Sequence, residues 1–320
     1  MTNRREFLRN ASILTVGGLL AGRTGHAASA NFPAAAAMPA AQKKNIGLQT
    51  YSLGNELWEN TPEVLKKLAS YGYTHVELAG YDGKGNFGPV KMADFKKMAD
   101  DAGLRITSSH INPPFRVYTP DILPKLKDYW KTVCEQHAAI GCKYVVQPSL
   151  PEILSVEEGQ TVGSYFTEAG KIAKAAGLQW GYHSHNVEFA KVVPGGKEAY
   201  SGYGWHRLPE GAKYIYDVLM AATDPAYVIF ELDCYWAVMG MQDPCALMRE
   251  YPTRIRLLHI KDKAVLGESG MMNFEMIFKQ AYAIGIKDWF VELEGIKTRP
   301  TQLEGCKACA EYLLKAPFVK

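Results

Sequence analysis

A regular alternation of short apolar runs with longer amphipathic stretches is the feature that most limits how this chain can fold. From residue 45 onward, each apolar run precedes a stretch with the 3.6-residue period of a surface helix. Eight apolar runs are predicted as strands, at residues 46–51, 75–79, 105–110, 144–147, 179–183, 228–233, 256–260 and 289–293. The helical periods cover approximately residues 61–71, 91–102, 121–140, 157–176, 213–222, 243–251, 272–284 and 301–314. Eight strand–helix units in series predict an α/β fold with a parallel sheet that closes into a single (β/α)₈ barrel.

Glycines at the ends of the helical periods support this division. Five of them stand just before the next apolar run, where a left-handed residue closes a helix: Gly72, Gly103, Gly141, Gly177 and Gly285. An open, doubly wound sheet is the structural alternative. No G-x-G-x-x-G opens the first unit, which weakens a dinucleotide-binding interpretation.

The first 44 residues are predicted to direct export rather than to fold. Residues 1–30 contain the pair Arg4-Arg5, an apolar stretch and an A-x-A-like end at residues 28–30, which resembles a twin-arginine signal peptide. Asn3 stands where that motif usually has Ser or Thr, and an amphipathic helix is the alternative. The apolar run, residues 11–21, is too short to span a bilayer, which takes about 20 residues. We therefore expect a signal peptide at residues 1–30, a flexible tether at 31–44, a barrel at 45–320 and a periplasmic location.

The distribution of charge limits the classes of partner. Four arginines against Glu6 in residues 1–30 carry all of the formal net charge of +3, and the remainder balances at 32 basic and 32 acidic side chains. A neutral body gives no reason to expect nucleic acid or stable membrane association. A small-molecule substrate is expected, and oligomerisation stays open. The six cysteines fall inside predicted elements or, at Cys306 and Cys309, form a lone C-x-x-C, and none is assigned a catalytic role.

One predicted connection between a strand and a helix is much longer than is usual in a barrel. About 30 residues separate the fifth strand from the following helix, whereas barrel connections usually take about two to six. Because this loop contains Tyr200, Tyr203 and Trp205, whose rings suit the C–H faces of sugars, we predict a substrate lid. A passive surface insertion is the alternative.

Polar residues follow the last four strands, where the active sites of barrel enzymes lie. Alternation puts Glu231 with Asp233, His259 with Lys261, and Glu292 with Glu294 on one face of their strands. Converging carboxylates repel one another unless a cation neutralises them. An oxygen-rich set with one imidazole predicts one divalent metal ion, with Mn²⁺ the first choice and Mg²⁺, Co²⁺ or Zn²⁺ as alternatives.

At these positions the chain resembles the sugar phosphate isomerase/epimerase-like proteins of the xylose-isomerase-like barrel superfamily, over about residues 45–316. The motifs that carry the resemblance are residues 46–52, 72–78, 109–110, 181–189, 231–233, 258–262 and 291–292. The resemblance implies one divalent metal held by two glutamates, an aspartate and a histidine. Asp233, His259 and Glu292 match directly. Where relatives have the first glutamate on the strand, this chain has Tyr182 and His183, so either Glu188 serves or His183 replaces it.

The expected reaction is an isomerisation or epimerisation next to the carbonyl of a sugar or keto-sugar. A metal on the carbonyl would acidify the neighbouring C–H, and a base would remove that proton to give an enediolate. The candidates for proton transfer are His110, His185, Lys261 and Glu294. The candidates for substrate binding are Glu77, His183, Trp205 and Trp236.

Three other functions are weighed against this one. A metal-dependent lyase that eliminates the aglycone from a 3-keto-glycoside suits an exported protein, which would meet glycosides. A periplasmic sugar-binding protein without turnover is the second alternative. A nuclease of the same superfamily is opposed by the balanced charge, and neither a phosphate-cradling glycine loop nor an arginine cluster supports phosphate recognition.

Overall fold

Eight parallel strands form a closed barrel in the computed structural model, which describes residues 44–201, 208–295 and 299–320. The barrel strands are β1 (Ile46–Gln49), β2 (Tyr73–Leu78), β3 (Arg105–His110), β4 (Tyr144–Gln147), β5 (Gln179–Ser184), β6 (Val228–Asp233), β7 (Ile255–Lys261) and β8 (Asp288–Glu292). Each strand pairs in parallel with the next one along the chain, and β8 pairs with β1. The predicted single (β/α)₈ barrel is confirmed.

Helices connect the strands and surround the barrel. They are α1 (Glu56–Glu59), α2 (Thr61–Ser70), α3 (Met92–Asp101), α4 (Leu123–Ala139), α5 (Val156–Ala175), α6 (Ile215–Ala222), α7 (Cys234–Met239), α8 (Pro244–Glu250), α9 (Phe274–Ala283) and α10 (Gln302–Lys315). The five predicted helix-ending glycines all have positive φ. Sequence periodicity missed α7, which starts directly after β6 because the Asp233 side chain accepts the Trp236 N–H as an N-cap.

Two cores hold the fold together. A small inner cluster fills the lower part of the barrel with Tyr144, Val146, Ile229, Leu257 and Phe290. A much larger outer cluster packs the helices against the sheet, with Trp180 of β5 in aromatic contact with Trp130 of α4 and Phe166 of α5. Because apolar side chains close the barrel from below, the polar strand ends at the other rim are the part that is open to a ligand.

The predicted signal peptide and most of the tether lie outside the described residues, as does Trp205. Within the part of the chain that the structure describes, no helix combines the length and the apolar character needed to cross a membrane. All six cysteines are buried and unpaired.

The inner face of β1 provides a test of barrel packing. A methyl group on Gly47 would lie 2.5 Å from the His75 Nε2 and 2.5 Å from the Trp289 carbonyl oxygen, so Gly47→Ala must displace backbone. We expect it to lower the free energy of unfolding by about 2–3 kcal/mol. Gly181→Ala on β5 is the control, because its methyl group meets only side chains, at 3.3 Å. Equal denaturant midpoints for the two variants would contradict this account of the packing.

Candidate metal centre

Strand register brings the polar residues of β5 to β8 together at one rim. His183 on β5 pairs with Glu231 on β6, and Asp233 on β6 pairs with His259 on β7. One step further along, Lys261 on β7 pairs with Glu292 on β8. Side chains that are adjacent in register and share the inner face of a parallel sheet must lie close together. Closure of the barrel therefore concentrates charge at the carboxyl ends of the strands.

Four buried side chains form a candidate site for a metal ion, which we call the metal centre: His183, Asp233, His259 and Glu292. Each offers one ligand atom, and these atoms all lie within 4.8 Å of one another. The Nδ1 atom of His259 lies 3.4 Å from the Glu292 Oε2 and 3.9 Å from the Asp233 Oδ2. The His259 Nδ1 and the Asp233 Oδ2 are buried without a hydrogen-bond partner. Two unpartnered buried polar atoms facing a third ligand fit a divalent cation, which would satisfy them.

Beneath the metal centre lies a second set of polar groups, which we call the supporting layer: Glu77, His110 and Glu231. The Glu77 Oε2 lies 2.6 Å from the His259 Nε2 and 3.1 Å from the His110 Nε2. The Glu231 Oε2 lies 2.8 Å from the His110 Nε2 and 3.0 Å from the His183 Nδ1. The Glu77 carboxylate also accepts hydrogen bonds from Gln49 and Ser108. The supporting layer thus orients both imidazoles of the metal centre.

The side chains of His110, His183, Glu231 and His259 also lie close enough to share an ion. Their short separations argue for hydrogen bonds instead. Ligand atoms about 2.0–2.1 Å from a tetrahedral ion stand about 3.3 Å apart, whereas the Glu231 Oε2 contacts lie at 2.8 and 3.0 Å. With its Nε2–H donated to Glu77, His259 keeps Nδ1 free, in the carboxylate–histidine arrangement that accompanies metal ligation.

Electrostatics make the metal centre attractive to a cation. Burial alone would lower the pKa of His259, but Glu231 and Glu292 raise that pKa well above its ordinary value. Burial raises the pKa of Asp233 to about 7. Burial also lowers the pKa of His183, and the neighbouring His259 lowers it further, so His183 stays neutral as a metal ligand requires. A proton on His259 or a divalent ion can supply the positive charge that the buried carboxylates demand.

Lys261, His185, Glu294 and Trp236 stand at the mouth above the ligands. The Lys261 Nζ lies 3.2 Å from the Glu292 Oε2 and 3.0 Å from the Glu294 Oε2. Burial alone would lower the pKa of Lys261, but Glu292 and Asp233 raise it, so the ammonium stays charged. Burial lowers the pKa of His185 to about 4, so its ring is neutral. The Trp236 Nε1 is buried without a hydrogen-bond partner.

Glu188 is placed apart from the metal centre. The β5 strand ends at Ser184, and Glu188 lies in the 3₁₀ turn Val187–Phe189 that follows. Its Oε1 accepts a hydrogen bond from the Tyr182 hydroxyl, and its Oε2 accepts the His185 N–H at 2.8 Å. Of the two options for the fourth ligand, the geometry favours His183 over Glu188, because only the strand residue projects into the barrel.

A side groove of about 560 Å³ lies among the loops that follow the strands. Its walls come from the loops after β3, β4 and β5 and from the end of α7. It begins at Asn186, the neighbour of His185, and its lining combines the apolar Ile153, Val187, Phe189 and Met241 with the polar Arg116, Glu152 and Ser201.

The family model of xylose isomerase-like TIM barrels matches residues 65–313. This chain is a xylose isomerase-like barrel. A structure of a sugar phosphate isomerase/epimerase from Parabacteroides distasonis is 47% identical, with a TM-score of 0.83, over 89% of this chain and all of that one. A second structure with that description from the same organism is 48% identical over 87% of this chain and all of that one, with a TM-score of 0.80. The 3-keto-D-glucoside 4-epimerase of E. coli shares the fold, at 16% identity and a TM-score of 0.60, over 84% of this chain and 98% of that one. No curated protein matches the chain.

Two predicted site residues of this xylose isomerase-like barrel contact other protein groups in the supporting layer. Glu77, a predicted substrate-binding residue, is fully buried and contacts protein groups, His110 among them, rather than the mouth. His110 is held between Glu77 and Glu231, which raise its pKa although burial alone would lower it. Part of the predicted lid is folded, since Tyr200 exchanges backbone hydrogen bonds with Lys191. Trp205 lies outside the described residues.

Sequence reasoning noticed Glu231 but gave it no role. Its signal was the two-residue spacing from Asp233, which puts both carboxylates inside the barrel. Its partners His110 and His183 are 121 and 48 positions away, so no local pattern could assign them.

Glu188 provides a test of the electrostatics beside the metal centre. Burial raises its pKa from 4.5 to about 7. A raised carboxyl pKa means that the folded state binds the proton more tightly than the unfolded state. The Glu188 carboxyl therefore stabilises the fold fully below pH 4.5, and this stabilisation is lost as the pH rises through about 7. Glu188→Gln should remove a decline in unfolding free energy of about 2–3 kcal/mol between mildly acidic and mildly alkaline pH. Urea titrations measure it, with exposed Glu275→Gln on α9 as the control; identical pH profiles for wild type and Glu188→Gln would refute it.

Proposed function

We propose that this chain is a divalent-metal-dependent isomerase or epimerase that moves a proton next to the carbonyl of a sugar or keto-sugar. The proposal is based on the geometry of the metal centre. Four buried ligands converge at the open rim of the barrel, and the His259 Nδ1 and Asp233 Oδ2 among them have no other partner. The 47% identical sugar phosphate isomerase/epimerase from Parabacteroides distasonis supports the reaction class.

The residues around the metal centre have distinct roles in this proposal. A divalent ion held by His183, Asp233, His259 and Glu292 would supply Lewis acidity toward a substrate carbonyl. His185, neutral and next to the centre, accepts the proton from carbon. Lys261 is a fixed positive charge that stabilises negative charge developing on a substrate oxygen and does not serve as a base. Glu294, 36% exposed and paired with Lys261, is the second group able to exchange protons with substrate, and the Trp236 Nε1–H is free to donate to a hydroxyl.

The ligand types bear on the identity of the metal. His183 in place of a glutamate gives two imidazoles and two carboxylates rather than the expected single imidazole. Imidazole suits Zn²⁺ and other first-row transition metals, whereas carboxylate suits Mn²⁺ and Mg²⁺. We therefore propose a transition-metal ion, with Mn²⁺ first because it also suits the two carboxylates, and with Co²⁺ and Zn²⁺ as alternatives.

A lyase that eliminates the aglycone of a 3-keto-glycoside is the second candidate. The side groove favours it, because a free monosaccharide would leave that space beside the metal centre unfilled. The proton-accepting groups serve both reactions, since each begins with loss of the proton next to the carbonyl.

Export remains part of the proposal. Residues 1–30 carry the twin-arginine pattern, which fits a protein that acts on periplasmic sugars. Replacing Arg4 and Arg5 by lysines should retain the full-length chain in the cytoplasm, as fractionation and immunoblotting would show. Unchanged periplasmic recovery of the processed protein would contradict export by this route.

Metal analysis tests the ligand set. We expect about one divalent ion per chain in the wild type and loss of that ion in Asp233→Asn and in His183→Ala. Glu188→Gln is the matched control and should keep the ion, since Glu188 bonds to Tyr182 and His185 instead. Inductively coupled plasma mass spectrometry gives the occupancy. Retention by His183→Ala together with loss by Glu188→Gln would reverse the assignment.

Isotope exchange tests the reaction. In D₂O with Mn²⁺, NMR should show deuterium entering the carbon next to the carbonyl of a keto-sugar, and chelation should stop it. His185→Ala should slow exchange by about 10²–10⁴-fold while the ion stays bound. Release of an alcohol with formation of an unsaturated ketone identifies the lyase, and binding without any exchange identifies a sugar-binding protein.

A further inference from the structure

We infer that the side groove binds an apolar, aryl-containing group attached to the sugar, so that the natural substrate is an aryl glycoside rather than a free monosaccharide. The inference rests on the proposed function, because it assumes that a sugar ring occupies the metal centre. It adds a binding site for a second part of the substrate.

The composition of the groove identifies the occupant. Its floor consists of Ile153, Phe189 and Ile215, which are almost fully buried, and its rim carries the exposed Val187 and Met241. Arg116, Glu152, Asn186 and Ser201 also line the groove, but most of its surface is apolar. Apolar walls stabilise an apolar ring by removing its surface from water. An enclosed volume of about 560 Å³ suits a bulky group.

The groove begins one residue along the chain from the proton acceptor. Asn186 and Val187 line it and directly follow His185, whose ring centroid lies 4.7 Å from that of His183. Among the described residues, neither His185 nor the four metal ligands line the groove. A substrate with its carbonyl at the metal centre would therefore reach the groove only through a group attached to its sugar ring.

Local contacts hold the groove in shape before a ligand arrives. The buried Glu188 carboxylate accepts the His185 N–H and so ties down the turn that forms one wall. The opposite wall approaches so closely that a methyl group on Gly240 would lie 2.3 Å from the Phe189 ring. Met241 follows at φ 62°, a left-handed backbone that only Met241 adopts among the described non-glycine residues. Strained backbone at the edge of a cavity is typical of a built binding site.

Exposed apolar side chains are concentrated at this end of the barrel. Among the described residues, the large exposed apolar side chains in loops after the strands are Tyr51, Val117, Val187, Leu208, Met241 and Met271. Val187 and Met241 flank the groove, so a ligand in it would cover part of this surface. An aryl group would gain from these contacts in proportion to the area buried.

Direct binding measurements test the inference without requiring turnover. We would titrate the Mn²⁺-loaded protein with ethyl and 2-phenylethyl β-D-glucoside, which differ only in the aryl ring, using calorimetry or ligand-observed NMR. We expect the phenyl ligand to bind about tenfold more tightly or better. Val187→Trp should fill the groove and bring the two dissociation constants within about twofold of each other.

Met276→Trp is the matched control. Met276 is 46% exposed and Val187 is 51% exposed, and Met276 lies on α9, outside the groove. The control should keep the preference for the phenyl ligand, and thermal melting verifies that both variants fold. Equal affinity of the wild type for both glucosides, absence of binding by either at millimolar concentration, or equal loss of preference in both variants would overturn the inference.

The outcomes separate this inference from the proposed function. A phenyl preference that depends on Val187, without metal-dependent deuterium exchange on any keto-sugar, leaves the groove assigned and the reaction refuted. Exchange on keto-sugars without a phenyl preference leaves the reaction supported and the groove refuted.

Discussion

Buried negative charge is the constraint on which the site depends. Glu77, Glu231, Asp233 and Glu292 are almost completely removed from solvent within one end of a closed barrel. Carboxylates in such surroundings are stable only when hydrogen bonds and positive charge compensate for their lost hydration. The protein provides donors from below and a fixed ammonium, Lys261, from above. Between these lies the group of ligand atoms that a divalent ion would complete.

The polar interior is organised in two levels that do different things. In the supporting layer, Glu77 fixes the ring of His259 and Glu231 fixes the ring of His183. In the metal centre, the other nitrogen of His259 stays unpartnered next to Asp233 and Glu292. A ligand whose orientation is set by a second carboxylate loses little freedom on binding, which is why such partners strengthen metal sites. The complete burial of Glu77 and the contacts of His110 with Glu77 and Glu231 are thus consistent with positioning rather than with contact to substrate.

The mouth combines a charged centre with an apolar border. Lys261, Glu294 and His185 surround the ligands, while Val187 and Met241 stand at the edge of the side groove. Charged groups orient a polar ring, and apolar walls favour a partner that is not itself a sugar. Glu188 connects the two regions, because the same carboxylate that was a candidate ligand stabilises the turn between the metal centre and the groove.

The sequence by itself determined the architecture and most of the candidate ligand set. Alternating periods predicted eight strands and their helices, and the two-residue spacing on β6 and β7 predicted that Asp233 and His259 face inward. These features depend on residues that are close in sequence, so the spacing of apolar and polar residues can predict them. Only the tertiary structure distinguished His183 from Glu188 as the candidate fourth ligand. Both are polar and five positions apart, and the difference lies in where β5 ends. It also assembled the supporting layer, in which Glu77 and His259 meet across 182 positions. Such contacts follow from barrel closure and strand register, which depend on the packing of the whole chain rather than on any segment of it.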